Sequence, residues 1–534
     1  MQNKISDIFT KHHIPFEPLG NDLVIVCPFK AEMDGAGGQL LTFNVNQATG
    51  NGVCAYCRKT AEFDEVLRLL NIPAPITPSA EENAGVARIS PNVPDQAAEE
   101  PQPEPEKEEV IDTSSFEPMA TDQLVQTLGL TIKRDEENKL IAFLGELSAY
   151  TESSQLNISF NAPSSTGKSY IPTEIAQLFP QKDVIEVGYC SPTAFFHDVG
   201  KYEKVKQGYT VDLSRKILIF LDQPHTLLLQ HLRPLLSHDK KEIHLKITDK
   251  SQKAGIKTKN IFLKGFPAVI FCTAGLKIDE QESTRFILLS PETDTEKIRQ
   301  AIFEKIKKET DGKSYRASLD ENPERQHLKE RIRAIRQAHI EDVRIGNPKK
   351  IEELFFSKNK NLKPRHQRDI GRIISLIKSI ALLNLWFREK DGSTIIASEA
   401  DIESAFTIWN MISESQEFNL PPYIYQLYRE VILPAWEEKN INLAEDEKKL
   451  GLSRREVTQK HLQVHGRVLA DWLLRQQIIP MLENAGLIQQ EPDPDDKRKI
   501  LIYPTSPLTT SSGQNNSESG GVVEDNNHTN QPLP

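Results

Sequence analysis

The chain of 534 residues has no long hydrophobic run. A helix that crosses a bilayer needs about 20 consecutive, mostly apolar residues, and no such segment occurs. The first residues, MQNKISDIFTKHH, also lack the apolar segment of a secretory signal peptide. We therefore expect a cytoplasmic protein without membrane contacts.

Cysteine is also scarce, with five residues in the whole chain. This number is too small for a disulfide framework in a protein of this length. Cys27, Cys54 and Cys57 lie near one end and suggest a metal site. Cys190 and Cys272 are interpreted as buried thiols, which agrees with a reducing compartment.

The formal net charge of −11 argues at first against a nucleic-acid partner. Much of the acid lies in one stretch, AAEEPQPEPEKEEVID at 97–112, whereas later blocks are dense in Lys and Arg. Local charge is therefore more informative than the total. The overall content of 38% hydrophobic and 26% charged residues is ordinary for a soluble protein.

Composition divides the chain into parts, and no tandem repeat is present. Residues 73–115 are rich in Pro, Glu, Ala and Ser, so they cannot bury enough surface to fold. Apolar runs such as KILIFL and AVIFCT then alternate with helical patterns, which is typical of the buried strands of an α/β sheet. The predicted multidomain α/β protein comprises a small folded unit at 1–72, a disordered linker at 73–115, an α/β core at 116–291, a helical region at 292–438, a helix–turn–helix and hairpin at 439–504, and a disordered tail at 505–534.

The segment NAPSSTGKSY at 161–170 lies between a predicted strand, LNISF, and a predicted helix, YIPTEIAQLF. Strand, loop with G-K-S, and helix form the P-loop pattern, in which main-chain amides bind phosphates. Lys168 would neutralise the β and γ phosphates, and Ser169 would hold Mg²⁺. The alternative is a Ser-rich loop before a helix, and Ala162 replaces the first glycine of the pattern. The predicted ATP site comprises Ala162, Ser164, Ser165, Thr166, Gly167, Lys168 and Ser169.

Two further buried strands end in polar residues. KILIFLDQP ends with Asp222, which is suited to Mg²⁺, and AVIFCTAG carries Thr273, which could contact the γ-phosphate or the attacking water. Gln223 stands where many ATPases have a glutamate, and an amide can orient water but is a poor base. The sequence therefore supports ATP binding more strongly than hydrolysis. An ordinary buried strand followed by an Asp turn is the alternative.

Arg285 precedes an apolar strand in DEQESTRFILLSP at 279–291. An arginine in this place could reach the nucleotide of a neighbouring subunit, although a lone arginine is more often a surface residue.

The stretch EIHLKITDKSQKAGIKTKNIFLKG at 242–265 has two alternating halves and is predicted to form a hairpin. Its lysines suit a DNA backbone. The alternative is a solvated edge hairpin whose lysines prevent aggregation. The candidate DNA-binding lysines are Lys246, Lys250, Lys253, Lys257 and Lys259.

Residues from roughly 140 to 412 resemble AAA+ helicases of the minichromosome-maintenance and superfamily-three type. In that family a hairpin precedes the sensor strand, and an S-R-F motif carries an arginine finger, which corresponds here to Thr284-Arg285-Phe286. The resemblance implies a helical lid that includes 363–389, with Arg365 or Arg368 as a second sensor that contacts the γ-phosphate. It also implies a ring, with six copies as the expected number. The departures are Ala162, Gln223, and Thr273 in place of the more usual asparagine.

The C-terminal segment resembles a winged helix, with a helix–turn at 452–466, a longer helix at 468–490 and a wing in EPDPDDKRKILIYP. Winged helices bind DNA or proteins, and both alternatives remain open. The candidate DNA-binding residues are Arg454, Arg455, Lys460, His465, Arg467, Lys497, Arg498 and Lys499.

Residues 24–72 resemble the zinc ribbon of bacterial-type DNA primases, with C-P-F, an aromatic strand and G-x-x-C-x-x-C. Cys27, Cys54 and Cys57 would bind Zn²⁺, whereas Lys30 replaces a histidine of that family. His12 or His13 could be a fourth ligand. A ribbon that has lost its metal is the alternative, and no acidic cluster for primer synthesis is present.

Together these features predict an ATP-dependent DNA helicase or translocase in the replication of a mobile element or phage. It would use ATP, Mg²⁺ and Zn²⁺, act on single-stranded or forked DNA, and could work with a primase or an initiator protein. The alternative is an ATP-gated initiator, clamp or helicase loader that does not unwind DNA. A transcriptional regulator with a degenerate ATPase is a third hypothesis.

Overall fold

The structure is a computed structural model that divides into two compact units, Met1–Glu106 and Lys107–Pro534, and each unit is described by itself. None of the helices among the described residues combines the length and the apolar character needed to cross a bilayer. The residues described are 9, 14–19, 22–26, 42–46, 52–54, 60–61, 66–67, 70, 111–188, 201–249, 257–274, 284–443 and 449–505.

The first unit contains an antiparallel sheet with the strand order β1-β2-β3-β4-β5. In β2 and β3, Leu23 faces Val45 and Ile25 faces Phe43, and all four side chains are buried. Alternate residues of a strand share a face, so one face of this sheet forms the core of the unit. The strands are β1 (Glu17–Leu19), β2 (Asp22–Val26), β3 (Thr42–Asn46), β4 (Gly52–Cys54) and β5 (Thr60–Ala61).

The predicted zinc ligands are only partly within the described residues. Cys54 is the last residue of β4. Cys27, Cys57 and the two candidate histidines, His12 and His13, lie outside the described residues. No cluster of three metal-binding side chains occurs in the part of the chain that the structure describes.

The second unit mixes helices and sheets, which confirms the predicted α/β class. Its strands are β6 (Asn157–Asn161), β7 (Val184–Val187), β8 (Lys201–Glu203), β9 (Gly208–Asp212), β10 (Ile217–Phe220), β11 (Glu242–Asp249), β12 (Lys257–Lys264), β13 (Ala268–Thr273), β14 (Ile287–Leu289), β15 (Asp342–Ile345), β16 (Glu389–Asp391), β17 (Thr394–Ala397), β18 (Ile488–Pro492) and β19 (Ile500–Pro504). Its helices are α1 (Thr121–Leu128), α2 (Glu136–Leu147), α3 (Tyr170–Ala176), α4 (Thr226–Leu236), α5 (Thr295–Thr310), α6 (Gly312–Asp320), α7 (Pro323–Gln337), α8 (Pro348–Lys358), α9 (His366–Leu383), α10 (Glu399–Glu417), α11 (Pro422–Leu427), α12 (Leu433–Asn440), α13 (Arg454–His465), α14 (Asp471–Leu473) and α15 (Ile479–Asn484).

The core sheet is parallel, with the strand order β14-β6-β13-β10-β7. β6, β10, β13 and β14 are buried along their whole length, as expected for a parallel sheet that is covered on both faces. Ile158 and Ile270 pack in the cluster that includes α2 and α3, and Leu218 and Phe271 pack in the cluster that includes α4. The short, apolar sequence runs therefore form the centre of this unit.

The outer edge of β14 is covered by one side chain. The Leu288 N–H donates to Gln416 Oε1 at 3.1 Å, and Gln416 Nε2 donates to the Leu288 carbonyl at 2.7 Å. Gln416 thus satisfies main-chain groups that a neighbouring strand would otherwise bind.

The lysine-rich hairpin predicted at 242–265 is present as β11 and β12, which pair along eight residues. β12 also pairs in parallel with β9, so the hairpin belongs to a separate sheet with the order β11-β12-β9-β8. Only 265–267 separate β12 from β13 of the core sheet. Gly265 has φ of +88°, and a Cβ there would collide with Ser214, so the close approach requires glycine.

The C-terminal segment has its own apolar core. α13 begins with a capping box, in which the Glu456 N–H donates to Ser453 Oγ and the Ser453 N–H donates to the Glu456 carboxylate. Leu452 bridges to Ile502, so β18 and β19 gain a third short strand. The core also includes residues of α11 and α12, a helical stretch that the sequence analysis placed in the helical region before 439.

Candidate nucleotide site

The loop between β6 and α3 contains two residues with a positive φ angle. Ser165 has φ of +66° and Gly167 has φ of +87°, so the chain turns through left-handed conformations. The Thr166 hydroxyl donates to the Pro163 carbonyl at 3.0 Å and closes the turn. No atom lies within 4 Å of the position that a Cβ of Gly167 would occupy. The space beside Gly167 is therefore open, so nothing there blocks the approach of a phosphate group to the main chain.

The strand register brings Thr273 and Asp222 to the same edge as this loop. β13 lies between β6 and β10, with Thr273 opposite Asn161. Phe220 lies opposite Phe271, so Asp222 follows at about the level of Thr273. Neighbouring strands are about 4.8 Å apart, so the loop, Thr273 and Asp222 form one row along the carboxyl edge of the sheet.

Thr273 and Gln223 are joined by a hydrogen bond at this edge. The buried Thr273 hydroxyl donates to Gln223 Oε1 at 3.1 Å, and the Gln223 N–H donates to Asp222 Oδ1 at 2.7 Å. The bond from Thr273 fixes the orientation of the Gln223 side-chain amide. An oriented amide can position a water molecule but cannot remove its proton efficiently.

Cys272 connects β13 to the loop between β6 and α3. Its thiol donates to the Lys168 carbonyl at 3.3 Å. Burial raises the pKa of this thiol to about 12; the positive charge of Lys168 opposes the increase, and the negative charge of Asp222 adds to it. Cys272 therefore stays protonated, and both Lys168 and Asp222 are close enough to act on it.

A second group of predicted residues lies at the opposite edge of the sheet. β14 begins at Ile287, which is level with Ile158 near the start of β6. Thr284, Arg285 and Phe286 precede it and so lie at the amino edge. Arg285 Nε donates to Ser237 Oγ at 2.8 Å, just after α4 ends.

The start of α9 packs against this segment. Arg368 hydrogen-bonds the Thr284 hydroxyl, and the buried Arg372 donates to the carbonyls of Thr284 at 2.7 Å and Phe286 at 3.0 Å. Burial lowers the pKa of Arg372 to about 10, although Asp369 at 3.0 Å opposes the decrease. Arg365 is paired with the same Asp369.

The two groups are well separated within one chain. Ala162 lies four positions after Ile158 along the chain, which corresponds to roughly 13 Å along the strand. The structure thus brings together the P-loop, Asp222, Gln223 and Thr273, but it does not bring Arg285 or Arg368 to them.

The predicted DNA-binding lysines of the hairpin differ in their surroundings. Lys246 is exposed, and Lys259 Nζ lies 3.6 Å from the centre of the Tyr209 ring. Lys257 starts β12, and only its main chain is described. Lys250 and Lys253 lie outside the described residues.

The sequence analysis missed a second hairpin beside this one. β8 and β9 are joined by a turn at 204–207, in which Val205 is 98% exposed between Lys204 and Lys206. The alternation in KYEKVKQGYTV is the sequence feature that indicates it. Both hairpins therefore present lysine on one four-stranded sheet.

The predicted basic residues of the C-terminal segment are partly neutralised. Arg454 lies 3.2 Å from Asp471, and Arg498 and Lys499 both pair with Asp496. Arg455 and Lys497 are exposed. The sequence analysis missed Trp472, which is exposed at the start of α14, the helix that follows α13. The remaining candidates, Lys460, His465 and Arg467, contact Glu438, Glu430 and Thr293, respectively.

No protein-family model matches this chain, and no curated protein matches it. Among solved structures, the chain is similar to a full-length MCM homolog from Methanopyrus kandleri, with 13% identity and a TM-score of 0.35. The similarity covers 57% of this chain and 63% of the homolog, so this chain spans less than two thirds of that protein. It is also similar to a protein from Cytophaga hutchinsonii assigned as an ATPase, with 12% identity and a TM-score of 0.28, over 54% of this chain and 85% of that one. At these scores the similarity does not establish a function for this chain.

Proposed function

We propose that this chain is an ATP-dependent DNA helicase or translocase of the AAA+ class, which works in the replication of a mobile element or phage. The observation that carries the proposal is the row formed by the P-loop, Thr273 and Asp222 at the carboxyl edge of the core sheet. These residues lie close together, and they supply main-chain and side-chain groups that would bind phosphate, a divalent cation and a water molecule.

ATP is the proposed substrate, and the chain's residues have distinct roles toward it. The main-chain amides of the loop and Lys168 bind the phosphates, and the open side at Gly167 leaves room for them. Ser169 and Asp222 would hold Mg²⁺, which would neutralise the negative charge that develops on the phosphates. The Gln223 amide, fixed by Thr273, orients the attacking water.

The arginines at the amino edge would act on a neighbouring copy. Arg285 and Arg368 do not reach the P-loop of their own chain, whereas a copy packed against the carboxyl edge could present them there. An arginine supplied in this way stabilises the charge of the transition state. We therefore propose a ring, with six copies as the expected number.

DNA would run along the lysine-bearing hairpins. β12 of the first hairpin reaches the core sheet through the three residues that precede β13. A shift of Thr273 on hydrolysis would therefore move this hairpin. The segment after 439 has the helix–helix–hairpin order of a winged helix, and we propose that it holds duplex DNA. Zinc binding by Cys27, Cys54 and Cys57, and a primase or initiator as partner, remain proposals based on the sequence.

The test is ATP hydrolysis and strand displacement on a forked duplex, with and without single-stranded DNA. We expect DNA to stimulate hydrolysis, and we expect Lys168→Ala to lose both activities while it still binds DNA. Lys390→Ala, an exposed lysine on β16, is the matched control and should behave as the wild type. Unwinding that persists in Lys168→Ala would refute the mechanism.

One observation favours the second hypothesis, an ATP-gated DNA clamp, initiator or helicase loader. The residue after Asp222 is an oriented amide rather than a carboxylate, so this residue cannot act as a strong base toward the attacking water. In that case ATP would tighten DNA binding, hydrolysis would be slow, and no strand displacement would occur in the same assay.

A further inference from the structure

One continuous helix at 471–484 comprises α14, a π-helical turn and α15. Its inner side packs in the apolar core of the C-terminal segment through Leu474, Ile478, Ile479 and Leu482. The opposite side of its first turns is exposed to solvent. Residues three and four apart share one side of a helix, so the exposed side chains there form a single surface. We call Trp472, Arg475 and Gln476 the helix face.

The helix face places a large apolar side chain in water. Trp472 is 56% exposed, and Val468, four residues before it, is 77% exposed. The other three tryptophans of the chain are buried or partly buried. Leu469, just before the N-cap Ala470, and Leu474 are both in the core, which is the arrangement of a hydrophobic staple. The staple fixes the start of the helix, so the exposure of Trp472 is built into the fold.

Positive charge lies beside this tryptophan. Arg475 is exposed less than one turn after Trp472. Arg454 lies 3.2 Å from Asp471, so α13 begins close to the start of this helix, and the next residue, Arg455, is exposed. Neither Arg455 nor Arg475 pairs with an acid in the part of the chain that the structure describes. The surface therefore suits a ligand that combines apolar groups with negative charge.

The chain itself carries such a ligand in its C-terminal tail, which lies outside the described residues from 506 onward. At one place in the tail two apolar residues are adjacent, and two acids follow them directly. The valines match Val468 and Trp472 in character, and the acids match the arginines in charge. We call the residues Val522, Val523, Glu524 and Asp525 the tail segment.

The tail segment can reach the helix face. The Thr505 N–H donates to the Leu487 carbonyl at 3.1 Å, so the tail begins at the far end of the same helix. Trp472 lies 14 positions before Gly486, which corresponds to about 21 Å along a helix. Residues 506–521 are rich in Gly, Ser, Thr and Asn, and a linker of this length spans about 22 Å on average. A match between linker length and span gives an effective concentration of the order of millimolar, so a weak contact is sufficient.

We propose that the tail segment docks on the helix face of its own chain and competes there with duplex DNA; the competition, though not the docking, rests on the proposed function. α13 and the helix at 471–484 have the order of a helix–turn–helix, whose second helix presents its first residues to the major groove. Trp472 and Arg475 occupy those positions. A docked tail segment would therefore cover the side chains that duplex DNA would contact.

The first test measures acrylamide quenching of tryptophan fluorescence in the full-length protein. Trp472→Phe gives the signal of the other three tryptophans, which is subtracted. Val522→Ser combined with Val523→Ser should raise the quenching constant of Trp472 about twofold, because the tail no longer covers the ring. Leu533→Ser changes an apolar tail residue outside the tail segment and should behave as the wild type. Equal quenching in the valine variant and the wild type would overturn the docking.

The same assay identifies the occupant of the helix face. Docking within one chain does not depend on protein concentration, so the wild-type quenching constant should stay the same on dilution. A constant that rises on dilution would mean that the tail of a second copy covers Trp472, and it would overturn docking within the chain. Glu524→Arg should release the tail, and Arg475→Glu in the same chain should restore docking, which a merely structural effect of either change would not do.

Binding of a short duplex, followed by fluorescence anisotropy, tests the competition. The valine variant should bind the duplex about threefold more tightly than the wild type, and a synthetic peptide of residues 516–530 should reverse the gain. An unchanged duplex affinity together with increased quenching would overturn the competition and leave the docking intact. Increased quenching in the valine variant, without any unwinding by the wild type, would support the docking and reject the helicase proposal.

Discussion

The two edges of the core sheet differ in how they are built. At the carboxyl edge, Asp222 is exposed and the loop before Lys168 is open. At the amino edge, Arg372 and Asp369 are buried and bind the main chain around Thr284. The first edge is open to solvent, and the second holds its charged groups in fixed positions. The contrast teaches that the residues proposed for the two halves of a nucleotide site can occur in one chain without meeting in it.

The cause of this separation is the parallel sheet itself. All five strands run in the same direction, so every strand end of one kind lies at the same edge. The P-loop follows a strand, whereas Arg285 precedes one. No loop of ordinary length can change that, so in the proposed ring a second copy would bring the two edges together.

The difference between the two edges is tested most severely by mixing a chain that is defective at the carboxyl edge with a chain that is defective at the amino edge. Lys168→Ala and Arg285→Ala should each lower ATP turnover by a factor of about 100 or more. In a random mixture, about a quarter of the interfaces in a ring would pair an intact P-loop with an intact arginine, so part of the activity should return.

Steady-state hydrolysis as a function of the mixing ratio is the measurement. A mixture of the wild type with Lys390→Ala, which should be fully active at every ratio, is the control. If the two defective chains recover nothing on mixing, Arg285 does not act across an interface.

The rigidity of the amino edge can be tested with Arg372→Met. This change leaves Asp369 with one fewer partner and removes the guanidinium donor to the carbonyls of Thr284 and Phe286. Removing one partner of a buried pair costs about 3 kcal/mol of the free energy of unfolding. Arg344→Met breaks a solvent-exposed pair with Asp391 and should cost less than about 1 kcal/mol. Urea denaturation would measure both, and equal losses would contradict the proposed difference.

The carboxyl edge should accept a stronger base. Gln223→Glu would keep an acceptor for the Thr273 hydroxyl and add a carboxylate near the attacking water, so we expect turnover to rise about tenfold. Single-turnover hydrolysis would measure the change, with Gln123→Glu on α1 as the control. A rate that falls would show that the amide itself is required.

The smallest expected effect concerns Glu292, just after β14 at the carboxyl edge. Burial is the main cause that raises the pKa of Glu292 from 4.5 to about 7, and the negative charges of Asp135 and Glu136 add to the increase. The folded state therefore holds a proton that the unfolded state releases, so this contribution to stability is complete below about pH 4.5 and is lost as the pH rises through about 7.

Glu292→Gln should remove that pH dependence, which amounts to less than about 1 kcal/mol of the free energy of unfolding because the side chain is only partly buried. The measurement is the free energy of unfolding of the wild type and of Glu292→Gln at pH 5.5 and pH 7.5, in the same buffers. An unchanged difference between the two pH values would contradict the assignment to Glu292.

Local sequence patterns were sufficient for the carboxyl edge. Apolar runs predicted β6, β10 and β13, and in a parallel sheet the residues after such strands must share an edge. The grouping of Lys168, Asp222 and Thr273 follows from this rule.

The contacts at the amino edge and the orientation of α5 could not be predicted in the same way. Charged residues on the first turn of a helix do not reveal their partner, so the contact of Arg368 with Thr284 depends on tertiary packing. The pattern of α5 would place its isoleucines inside, but the ion pairs of Lys297 and Glu304 reverse the helix. β8 has only three residues, so the alternation in KYEKVKQGYTV indicates this hairpin only weakly against the surrounding sequence.

The three-residue connection at Gly265 gives the lysine hairpin the properties of a lever. Eight residues of β11 extend about 26 Å from that pivot, so a tilt of about 5° at the base sweeps the far end through about 2 Å. A displacement of a few tenths of an ångström beside the phosphates would thus be magnified several times at the lysines. In the proposed translocase, the length of each step along a nucleic-acid strand would then depend on the length of the hairpin. Removing one residue pair from the hairpin should shorten that step.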